Sequence, residues 1–148
     1  LPRSEPRYGL LVTAKRYKNF KVRAKFKVEK GDSGFYFRAE KTGTKVSVKG
    51  FQAEVDNSPE VGGLYETSMR AWVKRPDPKV IKKIYKPGEW TDLLVTAIGD
   101  DLTVSLNGVT VTELLGDKKC LKEGHLALQL HGGQDMHVEY KDILIMEK

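Results

Sequence analysis

The chain has 148 residues, enough for one domain that buries roughly 70% of its unfolded surface. Hydrophobic residues make up 39% and charged residues 31%, which excludes a disordered chain, and no run approaches the ~20 apolar residues of a membrane-spanning helix. The net charge of +6 falls mostly on lysines that read as a solvated face, not on basic stretches interleaved with aromatics, so the composition argues against nucleic acid as a partner.

Residues 1–7 are polar, carry Pro2 and Pro6, and read as a loose arm or the tail of a further strand. Residues 9–13 predict a short strand. Over residues 20–29, Lys21, Arg23, Lys25 and Lys27 alternate with Val22, Ala24, Phe26 and Val28, the period of two of a half-buried strand. Lys30-Gly31-Asp32 reads as a turn. Residues 34–39 follow as a strand with Phe35 and Phe37 on one face and Tyr36 and Arg38 on the other. Residues 40–49 are polar and predict a loop or edge hairpin. In the strand at 50–55, Phe51, Ala53 and Val55 share one face, and Gln52, Glu54 and Asp56 the other.

Residues 57–88 hold Pro59, Pro76, Pro78 and Pro87 and little clean periodicity. They also hold Leu64, Tyr65, Arg70, Trp72 and Tyr85, too apolar and aromatic for a linker. The expectation is an ordered loop folded over a site. Strands are predicted at 90–98, 102–106 and 109–114, with Asn107-Gly108 as a hairpin turn. A loop at 116–124 contains Cys120, which as the lone cysteine forms no internal disulfide and has no partner that suggests a nucleophile. The last strands are expected at 125–131 and 136–146. No stretch shows a helical period. Short alternating runs between turn signals predict an all-β, two-sheet antiparallel jelly-roll sandwich, a single domain over residues 1–148.

If the strands at 33–38, 50–56 and 126–131 are neighbours, their second faces gather Tyr36, Arg38, Gln52, Glu54, Asp56, Gln129 and His131. Those are the ingredients of a sugar site or an acid/base site. Each has a plainer reading. Glu54 is also a solvated strand carboxylate, His131 a structural residue before Gly132-Gly133, and Arg38 an ion-pair partner within the sheet. Tyr65, Arg70 and Trp72 are expected to rim the ligand, Trp72 as a stacking platform. Asp56-Asn57 either caps a turn or holds a structural calcium. His125 and His137 read as surface. Glu54 and Asp56 stand two apart, so their Cα atoms lie about 6.6 Å apart, which does not decide for paired-carboxylate hydrolysis.

Six segments recur in the order of a known family: Ser33-Gly34-Phe35-Tyr36-Phe37-Arg38, Gly50-Phe51-Gln52-Ala53-Glu54-Val55, Gly63-Leu64-Tyr65-Glu66 with Arg70, Lys86-Pro87-Gly88-Glu89-Trp90, Leu106-Asn107-Gly108-Val109 and Leu128-Gln129-Leu130-His131-Gly132-Gly133. The chain resembles the 3-keto-disaccharide hydrolase domain family over roughly residues 9–146. It departs from that family in the one or two strands expected before residue 9, and in Leu130, where many members carry aspartate. The resemblance implies a concanavalin A-like jelly roll that cleaves glycosides oxidised at carbon 3, by proton abstraction beside the ketone followed by elimination or net hydrolysis. It implies Glu54 or His131 as acid or base, and Arg38 with Gln129 as donors to the ketone oxygen. It also implies a carbohydrate ligand and a periplasmic or secreted location. A divalent metal such as calcium is compatible with it, and no organic cofactor is implied. A non-catalytic carbohydrate-binding module on the same fold is the second function class, because fold does not fix function.

Overall fold

The computed structural model describes residues 9–42, 48–130 and 135–148. Eleven strands and one short helix run in the order β1 (Gly9–Tyr17), β2 (Phe20–Lys30), β3 (Asp32–Lys41), β4 (Val48–Asp56), β5 (Leu64–Thr67), β6 (Ala71–Lys74), α1 (Pro78–Ile84), β7 (Thr91–Ile98), β8 (Asp101–Leu106), β9 (Val109–Leu114), β10 (Gly124–Leu130) and β11 (His137–Glu147). They form a six-stranded sheet, β1-β10-β3-β4-β5-β6, and a five-stranded sheet, β11-β2-β7-β8-β9. Every pairing is antiparallel. The predicted two-sheet jelly roll is what forms. No helix of the described residues is long and apolar enough to cross a membrane.

Alternation builds the core. Phe20, Val22, Ala24, Phe26 and Val28 of β2 are buried between the sheets, and the lysines between them turn outward. Phe35 and Phe37 of β3 and Phe51, Ala53 and Val55 of β4 meet them from the other sheet. Phe37 stacks on Phe51 with ring centroids 5.8 Å apart, an offset contact worth more than its area alone. The residues that follow Phe35, Phe51, Ala53 and Val55 are thereby sent to the outward face of the six-stranded sheet.

Two expectations need correction. Residues 57–88 are not one loop. They contain the β5–β6 hairpin, which extends the six-stranded sheet, and α1. Strands of four residues are too short to display a period. The helix was announced only by Asp77-Pro78: Asp77 Oδ1 accepts from the Lys79 N–H at 2.9 Å, and proline occupies the first turn, the favoured start of a helix. Asp32 is also not part of the turn. Only Gly31, at φ +84°, separates β2 from β3, and Asp32 already pairs with Asp56.

Candidate functional site

Strand register assembles the site. Tyr36 of β3 pairs with Gln52 of β4, Gln52 with Tyr65 of β5, and Tyr65 with Trp72 of β6. Paired residues share a face, so one row of side chains crosses four strands. The next rows on β3 and β4 are Gly34 opposite Glu54 and Asp32 opposite Asp56. Together with Gln129 of β10 these side chains line a cleft of about 660 Å³ on the face turned away from the five-stranded sheet. Tyr36, Gln52, Glu54, Asp56, Tyr65, Trp72 and Gln129, all picked out from the sequence, are brought together there. Asp32, Ser58, Glu60, Thr67 and Ser68 line it as well and were missed. Asp32 shares the parity of Tyr36 on β3, so extending that strand by two residues would have found it.

Aromatic and carboxamide groups occupy one end. Tyr65 and Trp72 meet edge to face at 5.3 Å, the Arg75 guanidinium lies 4.9 Å from the Trp72 ring, and the Tyr36 hydroxyl lies 3.0 Å from Thr67 Oγ1. The middle of the floor is Gly34. A Cβ there would stand 1.9 Å from Gln52 Oε1 and 3.2 Å from Gln129 Oε1, so both carboxamides lie over the space the missing side chain leaves. Gln52 and Gln129 are nonetheless 7% and 8% exposed, because the neighbours in the rows shield them.

Carboxylates occupy the other end. Ligand oxygens of Asp32, Glu54 and Asp56 lie within 4.8 Å of one another. Burial, then the adjacent Asp32 and Asp56, hold the Glu54 carboxyl well above the ordinary range of its kind, since each disfavours the charged form. Asp56 is raised too, chiefly by burial, and the two donors of Ser58, its N–H at 2.9 Å and Oγ at 2.7 Å, oppose the rise. No lysine, arginine or histidine lines the cleft among the described residues, although the chain is strongly basic.

Other sequence expectations fail or fall elsewhere. Arg38 does not reach the outward face. The β3–β4 register shifts between Phe37 and Glu40, and Arg38 sits at φ +48°. The extra residue puts Arg38 on the same side as Phe37. There it is fully buried and donates to the carbonyls of Gly99 at 2.6 Å, Lys18 at 2.9 Å and Leu121 at 3.2 Å. Arg70 also leaves the cleft. Glu66 pairs with Phe51 and points inward with it, and Arg70 follows, bonding Glu66 at 2.5 Å and Asp117 at 2.6 Å over the Phe51 ring. The Asn57 side chain donates to the Val28 carbonyl and accepts from the Tyr85 hydroxyl. His131 lies outside the described residues. Of the two histidines read as surface, His137 is exposed, while His125 is half-buried with Nδ1 2.8 Å from the Thr13 carbonyl oxygen. Cys120 is buried against Arg38 and Lys122.

The fold and this cleft define a carbohydrate-related domain. Residues 2–146 match the 3-keto-alpha-glucoside-1,2-lyase-like domain, and the chain belongs to that family. No curated protein sequence matches it. Among solved structures, it is similar to the carbohydrate-binding module CBM66 from Bacillus subtilis, with TM-score 0.69, 16% identity, 97% of this chain and 83% of that chain covered. A protein described as a candidate glycosyl hydrolase from Parabacteroides distasonis superposes with TM-score 0.72 at 20% identity, covering 96% and 84% of the two chains. A Bacillus subtilis protein of unknown function with a galectin-like fold gives TM-score 0.71 at 11% identity, covering 98% and 80%.

Proposed function

We propose that the cleft binds a carbohydrate and that the domain cleaves glycosides whose sugar is oxidised at carbon 3. Removal of a proton beside the ketone is followed by elimination of the glycosidic oxygen, or by net hydrolysis. The observation that carries this reading is the joining of two chemistries in one cleft. Tyr65 and Trp72 offer apolar ring surface beside the Gln52 and Gln129 carboxamides, a combination suited to a sugar ring and its hydroxyls. The Asp32–Glu54–Asp56 cluster at the other end can take a proton and return one, as the elimination requires. A ketone makes the neighbouring hydrogens acidic, so a carboxylate is base enough. Family membership supports the substrate class. The likeness to a carbohydrate-binding module is in keeping with a periplasmic or secreted setting.

A second reading is a binding module without turnover, favoured by the likeness to a carbohydrate-binding module over nearly the whole chain. Incubating the protein with a 3-oxidised disaccharide beside its unoxidised parent separates the two. Release of the leaving sugar from the oxidised substrate alone supports cleavage. Binding of either sugar with no product supports the module.

A further inference from the structure

We propose that Asp32, Glu54, Asp56 and the side-chain oxygen of Gln52 bind one divalent cation of the oxygen-preferring kind, calcium ahead of magnesium or zinc. Three carboxylates whose ligand atoms lie within 4.8 Å of one another could be a solvated acidic patch if they stood alone. Two buried acceptors speak against that. Gln52 is 7% exposed, and its Oε1 has no hydrogen-bond partner among the described residues; Asp32 Oδ1 is in the same condition. Gln52 Oε1 lies over Gly34, which faces Glu54 directly across the ladder, so the orphaned oxygen is aimed at the cluster. A buried acceptor left without a donor is costly. A cation satisfies several such acceptors at once.

The donor set selects the ion. All the donors are oxygens, carboxylate and amide carbonyl, with no nitrogen or sulfur ligand in the cluster. Calcium takes six to eight such oxygens at about 2.3–2.6 Å in adaptable geometry, whereas magnesium demands a near-ideal octahedron, and zinc prefers histidine and cysteine. Asp56 Oδ1 is already engaged by Ser58, which orients the carboxylate as an outer-shell partner does. A second group, Glu29, His137 and Glu139, is exposed, and Lys27 Nζ already lies 3.3 Å from Glu139. It lacks any orphaned buried acceptor and serves as the control.

The test needs no sugar, so its outcome is independent of whether cleavage occurs. The full chain is stripped with a chelator and titrated with calcium by calorimetry, and with terbium by luminescence sensitised through Tyr36, Tyr65 and Trp72. One saturable site per chain is expected, with a Kd at or below about 1 mM. Asp32→Asn and Glu54→Gln should each weaken it by at least about tenfold, and His137→Ala should leave it unchanged. Far-ultraviolet circular dichroism confirms that each variant is folded, and Glu54→Gln, isosteric and buried, serves where Asp32→Asn is not. Absence of saturable binding, binding indifferent to both cleft variants, or binding lost in His137→Ala overturns the proposal.

Discussion

Gln52 Oε1 stands 1.9 Å from the point where a Cβ on Gly34 would sit. The cleft floor is therefore shaped by the absence of a side chain. Gly34 is not among the residues with positive φ, so alanine is compatible with its backbone. The atom it would strike is the far end of a flexible chain. Gly34→Ala is expected to keep its Tm within a few degrees while displacing Gln52. The loss of about one hydrogen bond corresponds to roughly tenfold weaker sugar binding. Calorimetry on wild type and variant checks this; unchanged affinity with a large drop in Tm would assign Gly34 a packing role instead.

Arg38 carries a different burden. Its guanidinium satisfies the carbonyls of Lys18, Gly99 and Leu121, which come from three separate turns and loops. Arg38→Ala leaves them without a donor, at about 1–3 kcal/mol each where water does not enter. A urea unfolding curve should show a loss of at least about 3 kcal/mol. The folded fraction should bind sugar as the wild type does. Weaker binding at unchanged stability would return Arg38 to the ligand site.

That residue marks where strand parity stops being legible. Period two placed Tyr36, Gln52, Glu54, Asp56 and Gln129 on one face because β4, β10 and most of β3 are regular. A single bulge after Phe37 reversed the outcome for Arg38, and bulges depend on tertiary fit more than on a local signal. Asp32 was lost for the opposite reason, a turn judged three residues long when Gly31 alone makes it. Arg70 was misplaced because its position follows from Glu66, a carboxylate buried inward on a strand of four residues. Composition makes a buried carboxylate improbable, so only the structure reveals it.

The Arg70 network predicts acid sensitivity. Arg70 holds the Asp117 carboxyl below its ordinary value. Lys118 and Lys122 draw Asp100 down to about 2. Both folded values lie below the unfolded ones, so the stabilisation is present above about pH 4 and is lost as pH falls through the folded values. Tm measured from pH 6 to pH 2 should fall most steeply in that acid interval. Asp117→Asn should flatten the acid limb and lower Tm at neutral pH. An acid limb equally steep in the variant would mean that other carboxylates govern it.

The final prediction separates chemistry from binding. Glu54 lies in the carboxylate cluster, and Trp72 lies at the aromatic end of the same cleft. Glu54→Gln should reduce turnover of a 3-keto-glycoside by ~10²–10⁴-fold, the usual worth of a positioned acid or base, with binding reduced far less. Trp72→Ala should do the reverse, weakening affinity by about tenfold through lost ring contact while saturated turnover changes little. Phe51→Ala is the control for folding. Fully buried against Phe37, it should lose about 3–5 kcal/mol of stability and leave the kinetics of the folded fraction intact. Steady-state kinetics and calorimetry on the three variants give three distinct patterns. A wild type that binds a glycan yet never releases product from its oxidised form would remove the first pattern altogether. Glu54→Gln would then alter affinity alone, and the domain would act as a binding module.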